Sequence, residues 1–118
     1  MAISQTFADD EHIWRFDTPT LIATNRIEEF IGFNGLFEMD FDDLVGESSI
    51  DTVDAATISG THGVAIGTLA VHPAKRRASI PCNCTSANAG SYLMTVTITT
   101  TDSRTFKRQG RLQLTATS

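Results

Sequence analysis

Four groups of residues in this chain are of the types that chemistry uses. They are the cysteines of Pro81-Cys82-Asn83-Cys84, the acids of Glu38-Met39-Asp40-Phe41-Asp42-Asp43-Leu44-Val45-Gly46-Glu47, the histidines His12, His62 and His72, and the glycines Gly60, Gly63 and Gly67. Cysteines two apart on a strand face the same side, but a bridge between them would close a strained small ring. A zinc site needs about four ligands, and His72, ahead of a proline in a turn, is the sole candidate neighbour. The pair therefore reads as two free, half-buried thiols in a reducing compartment. A calcium loop begun at Asp40 places Asp42 well, then demands an oxygen ligand at Leu44 and a glycine at Val45. The alternating acids read instead as the wet face of a strand. The histidines are scattered and no Gly-x-Ser-x-Gly elbow accompanies them. The glycines lack the spacing of a phosphate loop. The expectation is a noncatalytic chain without cofactor, with no catalytic, cofactor-binding or metal residues.

The elements around these residues are strands. From Tyr92 to Thr101, Tyr92, Met94, Val96 and Ile98 alternate with Leu93, Thr95, Thr97 and Thr99, which is the pattern of a strand with one buried face. Thr101-Asp102-Ser103-Arg104 has turn composition, and the alternation resumes with Phe106, Leu112 and Leu114 on one parity and Lys107, Gln109, Arg111 and Gln113 on the other. This predicts a β-hairpin whose outer face is basic. Arg108 and Gly110 fall on the inward parity, so a bulge or a close approach by a neighbour is expected there. Leu36–Phe41, Asp51–Ser59, Gly63–Val71 and Arg77–Cys84 each read as short strands, spaced too closely for crossover helices. Two packed antiparallel sheets satisfy that pattern.

At 118 residues the chain has the length of one domain. Its apolar runs are far shorter than the roughly 18 residues of a membrane span, and its start has no basic head or apolar signal segment. A soluble chain with no membrane contact is expected. The net charge of -5 conceals a gradient. Residues 1 to 54 hold 13 acids against Arg15 and Arg26, and residues 55 to 118 hold seven bases against Asp102. Such polarity suits either two solvated faces of a monomer or docking to copies of itself or to a charged neighbour. Lys75-Arg76-Arg77 is one short basic run in a negative chain, which argues against nucleic acid. Seven of the nine aromatics precede residue 42. An aromatic-rich N-terminal arm is therefore expected over residues 1–35, with Trp14 and Phe16 anchoring either on a neighbouring chain or on their own domain. Removing residues 1–17 should then leave a folded domain.

Asn88-Ala89-Gly90-Ser91-Tyr92-Leu93-Met94 resembles the corner of immunoglobulin-like sandwiches, in which the tyrosine hydroxyl bonds backbone and the residue two later enters the core. The resemblance makes Gly90, Tyr92 and Met94 a structural corner, with Met94 where antibody domains keep a cysteine and Asn88 where an acid is usual. Residues 36–118 also resemble a family of small tailed-phage virion proteins, the fibre-to-tail adaptors, of immunoglobulin-like character. The matching parts are Phe37 to Leu44, Glu47 to Ser59, and Ala89-Gly90-Ser91-Tyr92 running to Thr99-Thr100-Thr101-Asp102-Ser103-Arg104-Thr105. The family usually carries tryptophan where this chain has Asp43, and Asp-Gly-Arg where it has Asp102-Ser103-Arg104.

The resemblance implies an all-β, immunoglobulin-like antiparallel β-sandwich over residues 36–118 behind the N-terminal extension of residues 1–35. It also implies a noncatalytic virion structural protein, an adaptor joining tail machinery to a fibre or spike through protein-protein contacts. Its partners would be a tail tube or nozzle, a fibre or spike, and copies of itself. Assembly would occur in the host cytoplasm and residence in the virion. The expected interface residues are Trp14, Phe16, Lys107, Gln109, Arg111 and Gln113. A capsid decoration or cement protein bound to capsid protein is the alternative, and a carbohydrate or cell-surface binding module the third reading.

Overall fold

The computed structural model describes residues 12–14 and 26–116. In chain order these form β1 (Ile13–Trp14), β2 (Arg26–Phe30), β3 (Asn34–Asp40), α1 (Asp42–Val45), β4 (Ile50–Ile58), β5 (Ala65–Ile66), β6 (Ala70–Val71), β7 (Arg77–Asn83), β8 (Gly90–Thr100) and β9 (Thr105–Thr115). The expected hairpin is β8 and β9, antiparallel from Gly90 against Leu114 to Thr99 against Thr105. Its apolar parity faces inward, with Met94, Val96, Ile98, Leu112 and Leu114 all buried.

Two sheets pack on one another. One has the order β1-β3-β7-β5, with β6 further along the same edge of β7, and the other is β2-β9-β8-β4. Phe37, Met39, Ile80 and Cys82 from the first sheet, with Phe41 just past β3, meet Ile27, Met94, Val96, Ile98 and Leu112 from the second in one core. The protein is thus an all-β sandwich. β3, β7 and β5 on one side, and β4, β8 and β9 on the other, follow the strand order of immunoglobulin-like sandwiches.

The sheets differ from the expected pattern at two edges, because β1 lies parallel to β3 and β2 parallel to β9, giving mixed rather than purely antiparallel sheets. Tight turns enforce antiparallel pairing only between strands adjacent in sequence. β2 pairs with the far end of the chain, Arg26 opposite Arg111, where no such turn acts. The boundary expected at residue 35 does not divide these elements, since β1 and β2 are built into the two sheets.

β3 also departs from expectation. Its acids are not a wet face: Glu38 and Asp40 are buried along with Leu36, Phe37 and Met39. β3 is an interior strand between β1 and β7, and the Arg77 guanidinium covers Glu38, with Nη1 3.3 Å from Oε1.

Tyr92 closes a corner at the start of β8. The Tyr92 hydroxyl donates to the Asn88 carbonyl at 2.9 Å, with the carbonyls of Ala89 and Thr61 within 3.4 Å. A Cβ at Gly90 would stand 3.0 Å from the tyrosine oxygen. Asn88 donates its side-chain amide to the Thr61 carbonyl at 2.9 Å, a bond a carboxylate cannot make. Two residues on, Met94 is fully buried. Tyr92→Phe keeps the ring and deletes the donor, so unfolding free energy should fall by about 1 kcal/mol in chemical denaturation.

Candidate functional site

Three arginines of the second half, Arg76, Arg104 and Arg108, converge at one end of the sandwich on the turn that contains α1. Arg108 donates to both Asp43 carboxylate oxygens, at 2.6 and 2.8 Å, and to the Asp40 carbonyl at 3.0 Å, with its guanidinium above the Phe41 ring. Arg76 donates to Asp42 at 2.6 Å and to the carbonyls of Gly46 and Ser48. Arg104 reaches the Val45 carbonyl at 3.1 Å and Asp102 at 2.8 Å. Asp40 accepts from the backbone amide of Asp42. Of the acids that suggested calcium, Asp42 and Asp43 are engaged by arginines and Asp40 by a backbone amide, and three bases of the second half, Arg76, Arg77 and Arg108, pair with acids of the first within one chain.

This arrangement explains why Arg108 occupies an inward position. The β8–β9 register runs through Val96 opposite Arg108 and Met94 opposite Gly110 with no bulge. Arg108 extends across the sandwich end to α1, while Gly110 leaves space for an indole. A Cβ at Gly110 would lie 2.4 Å from Trp14 Cδ1. Trp14 is 1% exposed, donates Nε1 to the Arg111 carbonyl at 2.8 Å, and meets Phe37 edge-on at 5.5 Å. Of the two places expected for Trp14, it takes its own core, because the slot above Gly110 buries the ring and satisfies its N–H. It is not an exposed interface anchor. Phe16 lies outside the described residues.

Bonds from Arg108 hold the Asp43 carboxyl below its ordinary 3.8, and the guanidinium's charge adds to the effect. A carboxylate whose folded pKa is lowered contributes stability above its unfolded value and loses it as pH falls through the folded value. The chain should therefore lose stability progressively below about pH 4. In Arg108→Met, the Asp43 carboxyl, followed by NMR, should titrate closer to 3.8.

The facing turn joins the same end. Thr101 donates its amide to the Ser49 carbonyl at 2.9 Å, and the Ser48 and Thr101 hydroxyls share a 2.9 Å bond. Ser103 has φ +67° in this turn, where a side chain costs about 1–2 kcal/mol. Glycine takes this conformation without that cost, and Ser103→Gly should raise the melting temperature by a few degrees.

Lys107, Gln109, Arg111 and Gln113 all lie on the outer face of β9, Lys107 and Gln109 exposed and the other two half-buried. Their neighbours on β8 are Thr97, Thr95, Leu93 and Ser91. Gln109 donates to the Thr95 hydroxyl at 3.1 Å. On β4, Asp54 accepts from the hydroxyls of Thr99 and Thr52, bonds that lower its pKa. This threonine row flanked by an acid was missed in sequence. The Thr95-x-Thr97-x-Thr99 spacing signals it, but irregular register at Ile50/Thr52 and Val53/Ala55 hides which side Asp54 takes. Phe30 on β2, 54% exposed, stands near the edge of this face, opposite Thr115.

The remaining reactive types are held inside. Cys82 and Cys84 are free and buried, and burial pushes both thiols up, Cys84 to about 11. His12, buried against Phe33 and Phe37, places Nε2 2.8 Å from Glu29 and so ties the segment of β1 to β2. Among the described residues, no three of the histidines, cysteines and acids are placed to hold a metal ion.

No family model matches the chain, and no curated protein does. Among solved structures, one titled the solution structure of amebosin aligns over 78% of this chain and 88% of its own, at 13% identity and a TM-score of 0.33. So slight a likeness adds nothing to the sandwich architecture, which rests on the strand order itself.

Proposed function

We propose that this chain is a noncatalytic structural protein of a tailed-phage virion, an adaptor that joins tail machinery to a fibre or spike through protein-protein contacts. One observation carries the reading. Two neighbouring stretches that resemble the adaptor family, 37–44 and 47–59, interlock with the third, 89–105, which is distant in sequence, at the arginine-clamped end and along β4 and β8. Phe41 supplies the ring beneath Arg108, Ser49 receives Thr101, and β4 pairs with β8 along its length.

The chemistry of the surface supports the same reading. Arginines bridging turn carbonyls and carboxylates make a rigid end, which keeps the ordering cost of docking low. Rigid sandwiches with exposed polar faces and sheet edges are suited to repeated association in rings or lattices. The partners would be a tail tube or nozzle and a fibre or spike. Assembly in the host cytoplasm would precede incorporation. Disrupting purified virions and separating tails from shells tests the assignment. The chain should be recovered with tails; recovery with shells would favour a capsid decoration protein, and absence from virions would overturn both.

A further inference from the structure

We propose that the outer face of the β4-β8-β9 sheet pairs with the same face of a second copy, about a two-fold axis running parallel to the strands above Thr97. This deepens the assembly reading by naming one partner and the surface it uses.

Three features of that face select a second copy. Its centre bears short side chains, Thr97 and Thr99 on β8 and Thr52 on β4, so another sheet can approach closely. Its two flanks carry opposite charge, Lys107 on β9 and Asp54 on β4, both exposed. Neither has an ionic partner among the described residues, unlike Arg76, Arg77, Arg104 and Arg108. Finally, the flanking charges stand at one level. Lys107 is registered with Thr97, Thr97 with Ala55, and Asp54 adjoins Ala55 at the register shift.

A two-fold axis along β8 exchanges the flanks and preserves the level, so Lys107 of each copy comes over Asp54 of the other. An axis across the strands would set β9 on β9 and Lys107 near its own copy, a like-charge contact. The charges thus choose the orientation as well as the partner. Asp54 is preorganised for the role, since two threonine hydroxyls already fix its carboxylate.

Size sets the strength. Three strands about 4.8 Å apart and about 30 Å long offer on the order of 400 Å² per copy. That is about half of the ~800 Å² per partner typical of a stable complex. The pairing is therefore weak in dilute solution and takes hold where copies are held close together.

Sedimentation equilibrium of the full chain at low salt, from about 10 μM to about 1 mM, tests this. The expected result is a reversible monomer–dimer equilibrium that weakens with added salt. Lys107→Asp or Asp54→Lys alone places like charges together twice in each dimer and should weaken association about tenfold or more. The double exchange Lys107→Asp with Asp54→Lys should return it to within a few-fold of the original. Thr97→Arg, which sets two guanidinium groups against each other at the axis, should abolish the dimer while the melting temperature confirms a folded chain. A chain monomeric at the highest concentration would overturn the proposal, as would oligomers insensitive to Thr97→Arg or single exchanges not rescued by the double. A monomeric chain still recovered with tails would overturn the two-fold pairing while leaving the tail reading standing. A charge-sensitive dimer recovered with shells would do the reverse.

Discussion

Trp14→Ala should lower the unfolding free energy by about 3–5 kcal/mol, the usual cost of truncating a buried aromatic residue. Small domains have about 5–15 kcal/mol in all, so the variant should melt far earlier or fail to fold. The size follows from three roles that one side chain fills at once. The indole occupies the space above Gly110, its N–H satisfies the Arg111 carbonyl, and its edge meets Phe37. Gly110→Val approaches the same slot from the other side, because its Cβ would stand 2.4 Å from Trp14 and drive the ring out. The double variant Trp14→Ala with Gly110→Val should cost less than the two singles added, since the emptied slot admits the valine. Coupling of about 0.5–3 kcal/mol between contacting residues is the expected range. Strict additivity would mean that Trp14 and Gly110 do not share the slot. Removal of residues 1–17 should likewise destabilise the fold, contrary to what a detachable arm would do.

Met94→Asp should prevent folding outright, whereas Thr95→Asp, one residue along on the opposite face, should change stability by less than about 1 kcal/mol. Met94 is fully buried, between Gly110 of β9 and Ile58 of β4 in the cross-strand register. Neither of those neighbours can pair a carboxylate, and an uncompensated buried charge costs several kcal/mol. Thr95 lies beside Gln109 on the outer face, where water reaches an added carboxylate. Circular dichroism and urea unfolding of the two variants separate the faces of β8. Equal effects would mean that the inward and outward parities are misassigned.

The parts of the fold legible in the sequence are those where one physical rule acts alone. β8 and β9 are long, regularly alternating and joined by a turn, so their parity could be read directly, and the corner at Tyr92 carries its own bonding pattern. Less was legible where tertiary contacts overrode local pattern. Glu38 and Asp40 alternate with apolar residues like a solvated strand, yet the distant Arg77 covers Glu38 and the Asp40 carboxylate turns onto the Asp42 amide. Arg108 and Gly110 suggested a bulge, because nothing local announces that Asp43 lies 65 residues away or that an indole needs the glycine's space. β2 was ambiguous, since a five-residue edge strand with Glu28 and Glu29 in it presents little apolar pattern. The four-residue α1 was missed because it is too short to show a period. On the outer face, the basic residues of β9 were legible from parity, while the matching acid on β4 was not, because two irregularities in that strand scramble its alternation.

The charge polarity of the chain carries a related lesson. Much of it is resolved within the fold, in the clasp between the α1 turn and the arginines of β7, β9 and the turns before them. On the outer sheet face the exposed charges Lys107 and Asp54 sit on particular strands, and the proposed pairing depends on them rather than on the net charge. The proposed adaptor role asks such a surface to hold other proteins at a set angle.

A reconstruction of the intact virion at a resolution that traces strands would test that role most directly. The sandwich of β3-β7 against β4-β8-β9 should be found at the junction between the tail and its fibre or spike, with the arginine-clamped end or the outer sheet face in contact with neighbouring chains. Finding the sandwich on the capsid shell, or finding no copy in the particle, would contradict the adaptor assignment.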